Sequence, residues 1–202
     1  MQAHSVPAIF GDNYTIGDIG FQFTDNSFIS QGIVYFTDWE AMSDIVVSHS
    51  FIVTDRDKCV EALGAGVVES PLIPRFSDPH VHITIRRPVG LTIQRGMAIR
   101  TKAAQLLGTP YDFSLIGGMV VANSRLIRWL PTDIYMPYRR AVCQLFHTIG
   151  KLICAGASVK SLLAVLEYVA ALPEKYYVYD PQMLFENTEV FKTWKYKYAG
   201  TH

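Results

Sequence analysis

Residues 45–69, IVVSHSFIVTDRDKCVEALGAGVVE, decide the fold class of this chain because they contain three strand-like runs in close succession. The runs are rich in Val, Ile and Phe, which favour strands. The first two are separated by Asp55-Arg56-Asp57 and the next two by Gly64-Ala65-Gly66. Both separators are typical of hairpin turns, so we predict an antiparallel sheet here.

The flanking segments predict two more strands and several helices. A Gly-Asp turn leads into a strand within residues 17–23, and the alternating residues 81–87 predict a strand that ends at Pro88. Helices are predicted over 94–107, 139–153 and 159–172, with a short one near 38–44 in an otherwise loop-like stretch from residue 24. Residues 109–137 are interpreted as irregular, with room for one short helix. Strands followed by helices predict an α+β fold.

Composition limits the classes of partner. The chain has 202 residues, half of them hydrophobic, and 18 Lys and Arg balance 18 Asp and Glu. One domain with a sizeable core is expected. Because the basic residues are scattered rather than clustered, we expect no nucleic-acid partner.

Cysteine usage and the first residues predict synthesis in the cytoplasm. Three cysteines are too few for a disulfide framework, and MQAHSVPAIFGDNY lacks the pattern of a secretory signal. A protein packaged in a virion, or exported by a signal-independent route, would have the same features.

The apolar stretch 145–172 bears on membranes. Lys151, Lys160 and Glu167 interrupt it, whereas a spanning helix requires about 20 nearly uncharged residues. We therefore favour a buried helical hairpin or a peripheral membrane contact over a true span.

Cys143 is the first candidate for chemistry. It follows Arg139-Arg140 near the start of the helix predicted over 139–153. Unpaired N–H groups and the helix dipole at such a start lower a thiol pKa and can hold an oxyanion. The alternative is a small buried hydrophobe, the common fate of a free cysteine.

His49 and Glu61 are the candidate partners of a cysteine nucleophile. Alternation places His49 on the strand face of Val47, Phe51 and Val53, where an imidazole requires a hydrogen-bond partner. A carboxylate on the neighbouring run, Glu61, is such a partner. The alternatives are a core histidine with a structural bond and a solvated strand glutamate.

Other motifs are weaker. His147 shares a helix face with Cys143, but this pair has no third residue that would complete a catalytic triad. His80 and His82 alternate on a strand that we interpret as a surface strand. The sequence contains no metal-binding spacing, no GxSxG elbow and no phosphate-binding loop, so no cofactor and no metal are expected.

In order, Gly17-Asp18, Ser48-His49, Glu61-Ala62, Gly66-Val67, Tyr111-Asp112 and Cys143 resemble the motifs of the circularly permuted NlpC/P60 papain-like families. These include the YiiX/YycO-like bacterial proteins, with lecithin:retinol acyltransferases as more distant kin. The resemblance covers roughly residues 15–155. It implies a permuted papain-like catalytic domain over 1–156, with 157–202 as a C-terminal helix and aromatic-rich tail packed on it.

The resemblance also implies roles for individual residues. Cys143 would be the nucleophile, His49 the general base and then acid, and Glu61 the group that orients His49. Tyr111, Ser48 and Gln144 would line the substrate cleft. Relatives carry C-S-E-(L/F)-V where this chain has CQLF, so the bulkier Gln144 would narrow the oxyanion pocket.

Three functions follow as hypotheses. The first is a cysteine hydrolase that cleaves an amide bond, such as that of a cell-wall peptide or a host protein. The second is a lipid-directed acyltransferase or lipase-like hydrolase that takes an acyl substrate, suggested by residues 145–172. The third is a catalytically inactive binding or virion structural module.

Overall fold

The computed structural model describes residues 7–37, 45–124, 127 and 130–191. Its sheet has five strands, all paired antiparallel in the order β4-β3-β2-β1-β5. The strands are β1 (Ile19–Thr24), β2 (His49–Val53), β3 (Lys58–Leu63), β4 (Gly66–Pro71) and β5 (Val81–Arg86). The predicted α+β class and the predicted strands are confirmed.

The helices that the structure describes mostly follow the sheet in the sequence. They are α1 (Phe28–Thr37), α2 (Ile73–Phe76), α3 (Ile93–Gln105), α4 (Phe113–Ala122), α5 (Thr132–Phe146), α6 (Cys154–Leu162) and α7 (Pro181–Phe185), with a 3₁₀ turn at Leu166–Tyr168.

Several helix predictions were wrong. Helix α1 lies in the predicted loop, and α4 and the first part of α5 occupy the stretch interpreted as irregular. Pro137 lies within the first half of α5 and does not end that helix, and the side chain of Asp112 caps α4. The predicted helix over 139–153 is the end of α5, and the one over 159–172 begins earlier, at Cys154. The short helix expected near 38–44 lies outside the described residues.

The two faces of the sheet carry different layers. One face supports the main hydrophobic core, to which α3, α4 and α6 contribute buried residues together with Ile52 and Phe21. The other face carries a smaller cluster around Phe51, covered by Tyr14 and Leu72. Residues at odd positions of β2 therefore lie under the smaller layer, and residues at even positions face the helices.

Helix α6 approaches the sheet closely because its first turns consist of small residues. Ala155, Gly156, Ala157 and Ser158 are all buried. The Ser158 hydroxyl lies 3.0 Å from that of Ser50 on β2. This contact fixes the start of α6 beside the start of β2, where the functional side chains lie.

The chain after α6 packs on the same body. Arg139 of α5 is fully buried, and its guanidinium donates to Asp180 Oδ2 at 2.7 Å and to the Val178 carbonyl at 2.9 Å. Phe185 and Phe191 are completely buried. The boundary proposed at residue 156 falls inside α6, and the main core includes residues on both sides of it. The aromatic residues Trp194, Tyr196 and Tyr198 lie outside the described part.

Among the described residues, no helix has the length and apolarity required to cross a membrane. The centre of the apolar stretch 145–172 is α6, which is buried against the sheet. Exposed apolar side chains flank it at Leu145, Ile149 and Leu166.

We predict that Gly20→Ala destabilises the fold, because a methyl group at Gly20 would lie 2.1 Å from the ring of Phe51. Overpacking of this kind costs about 1–3 kcal/mol. Gly117→Ala is the control: a methyl group there meets open space on exposed α4, and Ala is the better helix former by about 0.5–1 kcal/mol. Urea unfolding should show a lower midpoint for the first variant and a midpoint no lower than the parent's for the second.

Candidate active site

His49 and Glu61 meet on one face of the sheet. Glu61 of β3 pairs directly with Phe51 of β2, and His49 lies two residues before Phe51 on the same face. The strand register therefore makes the two side chains diagonal neighbours. His49 Nε2 lies 2.7 Å from Glu61 Oε2, and Glu61 is fully buried. The second ring nitrogen, Nδ1, is left for another partner.

Arg75 of α2 holds the other side of the Glu61 carboxylate. Its Nη1 donates to Oε2 at 2.9 Å, and its Nη2 donates to Oε1. The Arg75 guanidinium also stands 5.5 Å from the centre of the Phe51 ring. Burial alone would raise the pKa of Glu61, but the hydrogen bonds and charges of His49 and Arg75 outweigh it and hold that pKa well below its usual range. The carboxylate is therefore ionised.

Cys154 is the thiol that contacts His49. It is the first residue of α6, and it is buried beside the backbone N–H groups of Ser50 and Ala155. Burial would raise the pKa of this thiol, but the charge and hydrogen bond of His49 and these two N–H groups lower it. A helix start supplies N–H groups in the same sense.

The pKa of the His49 imidazole shifts in the opposite direction. Burial would lower the pKa of His49, yet the charge and hydrogen bond of Cys154, together with those of Glu61, raise it to about 9. A lowered thiol pKa beside a raised imidazole pKa favours a thiolate and an imidazolium near neutral pH. This ion pair is the activated form of a cysteine nucleophile.

A cleft of about 230 Å³ opens beside Cys154. Helices α1 and α4 contribute most of its lining, together with Ile153, Tyr111 and Ser48. The side chains along it are mainly apolar: Phe28, Ile29, Ile33, Phe36, Ile116, Met119 and Val120. A substrate that enters this cleft therefore reaches the thiol past a hydrophobic lining.

The structure does not place Cys143 at a helix start. It lies near the C-terminal end of α5, fully buried in the main core, so the argument from an N-terminal position was wrong. Gln144 is exposed on the same helix and is not among the residues that line the cleft. Of the predicted site residues, the structure brings His49 and Glu61 together, and it places Ser48 and Tyr111 in the cleft with Cys154.

A second histidine fixes the segment that leads to Cys154. His147 Nδ1 lies 2.9 Å from Asp112 Oδ2, which also accepts from the Thr148 N–H at 2.9 Å. The other ring nitrogen lies 2.9 Å from the Tyr176 hydroxyl. Backbone bonds from Leu152 to Pro110 and from Asp112 to Leu152 complete the attachment. The connection from α5 to α6 is therefore held against the residues beside Tyr111.

The remaining histidine pair lies on the surface. His80 and His82 both contact Asp25, at 2.9 and 3.5 Å, and all three side chains are about half exposed. Within the described ranges, no group of three or more His, Cys, Asp and Glu residues is arranged to hold a metal ion.

Sequence reasoning missed Cys154 and Arg75. A signal for Cys154 was present: the apolar pair Leu152-Ile153 precedes it and the small residues 155–158 follow, which suits a helix packed tightly on a sheet. No local signal marked Arg75, because only the position of α2 over the sheet brings its guanidinium to Glu61.

Comparison with protein-family models, with curated proteins and with solved structures gives no match for this chain.

We predict that Arg75→Met destabilises the fold at neutral pH and that this deficit relative to the parent narrows as the pH falls. Loss of the guanidinium leaves buried Glu61 with fewer donors, at a cost of about 2 kcal/mol at neutral pH. A carboxylate with a depressed pKa stabilises the fold above its ordinary pKa of 4.5, and this contribution is lost as the pH falls through the depressed value. Without Arg75 the pKa of Glu61 is less depressed, so Glu61 contributes less stability at neutral pH and the variant loses less than the parent as the pH falls below 4.5.

The measurement is urea unfolding between pH 7 and pH 3. Lys58→Met is the control, because Lys58 and Glu69 form an ion pair between half-exposed side chains that contributes little. Equal acid sensitivity of the two variants would contradict the role assigned to Arg75.

Proposed function

We propose that this protein is a cysteine hydrolase in which Cys154 is the nucleophile, His49 the general base and acid, and Glu61 the group that orients His49. The observation that carries the proposal is that the Cys154 thiol interacts with an imidazole that is itself bound, through Nε2, to a buried carboxylate. The permuted papain-like arrangement belongs to the same proposal, with Cys154 in the place first given to Cys143. The order His, Glu, Cys along the chain is unchanged.

The reaction proceeds in two steps. The Cys154 thiolate attacks the substrate carbonyl, the bond from carbon to the leaving group breaks, and His49 gives its proton to that group. A thioester on Cys154 remains. Water then attacks the thioester carbon, His49 takes a proton from that water, and the acid leaves with the thiolate restored. Glu61 keeps its charge throughout and holds the ring in place.

The start of α6 supplies donors for the oxyanion of each step. Cys154 occupies the first position of the helix, where backbone N–H groups have no partner within the helix. Such groups stabilise the negative charge that develops on a carbonyl oxygen.

An amide is the first substrate bond that we propose, as in a peptidase or amidase. A lipid-directed acyltransferase or hydrolase is the second candidate, and one observation favours it: the cleft beside Cys154 is lined mainly by apolar side chains. The apolar residues 145–172 do not support this candidate, because their centre, α6, is buried.

We predict that Cys154 is the thiol that iodoacetamide alkylates first at pH 6.5. Peptide mass spectrometry of the parent should show the label on Cys154 before Cys143, which lies in the core, and before Cys59, whose pKa burial raises to about 12. His49→Ala should slow the labelling at least about tenfold, the effect of one unit in thiolate pKa.

The matched control is His82→Ala, which removes an exposed histidine and should leave the rate unchanged. Faster labelling of Cys143 than of Cys154 would overturn the assignment of the nucleophile. A slow Cys154 that is indifferent to His49 would support the inactive binding module instead.

We predict a bell-shaped dependence of kcat/KM on pH. On the acid side, kcat/KM should rise with pH as the Cys154 thiol ionises. The midpoint of this rise should lie below the ordinary thiol pKa of 9.0, because His49 and the backbone donors lower the pKa of Cys154. Above pH 9 the rate should fall about tenfold per unit, because His49, with its pKa raised to about 9, loses the proton that the leaving group requires. An upper limb near pH 6.5 would show that His49 is not held in its charged form.

A further inference from the structure

We propose that the cleft between α1 and α4 binds the alkyl chain of a long-chain acyl substrate and presents its carbonyl to Cys154. The inference rests on the proposed function and specifies its substrate class. The acyl group forms the thioester with Cys154, and the leaving alcohol or amine takes the proton of His49.

Helix α1 is the first support for an apolar occupant. Its sequence, FISQGIVYFT, is mainly apolar, yet none of its hydrophobic side chains belongs to either buried core cluster of the described residues. Phe28, Ile29, Ile33 and Phe36 line the cleft instead. An apolar helix face that the core does not use gains free energy when an apolar ligand covers it.

The polar side chains of the cleft argue against a peptide. Asp180 and Asn123 accept from Arg139 at 2.7 and 3.0 Å. Ser48 bonds to Ser30, and the Thr37 hydroxyl donates to the Ile33 carbonyl at 3.0 Å. These oxygen atoms are thus engaged within the protein, whereas a peptide backbone needs new partners for each N–H and C=O that it buries. An alkyl chain needs none.

The rim of the cleft continues the apolar lining to the surface. Phe28 and Ile29 are 89% and 74% exposed, and Val120 on the opposite wall is 36% exposed. These three residues also line the cleft, so the apolar path is continuous from solvent to Cys154. A chain that enters between the two helices is in contact with hydrophobic side chains along the whole path.

Gly32 provides the test. It lines the cleft in the middle of α1, and a Cβ added there meets no atom within 4 Å. The Cβ of a leucine at this position therefore meets open space, and the rest of its side chain would extend from the lining of the cleft into the space proposed for the chain. Leucine is also a better helix former than glycine, so the fold should be retained.

The experiment compares parent, Gly32→Leu and Gly117→Leu on p-nitrophenyl esters with acyl chains from acetyl to dodecanoyl. Gly117 is the matched control: it is an exposed helical glycine on α4, it also has open space around it, and it does not line the cleft. For the parent, kcat/KM should rise about fourfold per methylene, the equivalent of roughly 0.8 kcal/mol, until the cleft is full. Gly32→Leu should lower the ratio of dodecanoyl to acetyl turnover at least tenfold, and Gly117→Leu should keep the parental ratio.

The outcomes separate this inference from the proposed function. If the parent hydrolyses the acetyl ester by Cys154 but shows no dependence on chain length, or if the two leucine variants behave alike, the chain site is wrong and the nucleophile stands. If no ester is turned over, binding of a fluorescent fatty acid tests whether the cleft accepts an alkyl chain. Binding that Gly32→Leu weakens and Gly117→Leu does not would support the chain site while the proposed function fails, and no binding would overturn both.

Discussion

The rest of the site depends on one buried carboxylate. Glu61 has no access to solvent, so its charge is tolerated only because His49 and Arg75 bond to it from two sides. That requirement determines the local structure: α2 must bring the guanidinium to Glu61, and this guanidinium lies 5.5 Å from the centre of the Phe51 ring, which packs against Gly20. The same charge raises the pKa of His49 and so favours the thiolate of Cys154. A structural ion pair and an activated thiol are therefore parts of one electrostatic network.

Sequence patterns predicted the sheet and half of this network. Alternation within residues 45–54 placed His49 on the face of Phe51, and the register then brought Glu61 to it. The thiol was misplaced because the start of α5 was set at Arg139, whereas that helix begins at Thr132 and continues through Pro137. Where a helix starts depends on capping and tertiary packing, which periodicity does not resolve. Cys143 and Cys154 are equally plausible as helix residues, and only the packing of α6 on β2 distinguishes them.

Helix α1 was missed for a related reason. Gly32, the β-branched residues around it and the absence of an acidic first turn are poor helix signals. In the structure its hydrophobic residues face a cleft rather than the core. A segment whose sequence satisfies neither a core pattern nor a surface pattern is expected where structure serves binding rather than stability.

The site is assembled from parts of the chain that are far apart in sequence. His49, Glu61 and Arg75 belong to the sheet layer, whereas Cys154 arrives only when α6 docks against β2 through Ser158. In the unfolded or half-docked chain the thiol lacks both its imidazolium and its backbone donors, and its ordinary pKa keeps it mostly protonated at neutral pH. Chemical reactivity is therefore coupled to the docking of α6 on the sheet. In a newly made chain the Cys154 thiol is mostly protonated and reacts slowly with oxidants and electrophiles. Only in the completed fold do the imidazolium and the backbone donors make it a reactive thiolate.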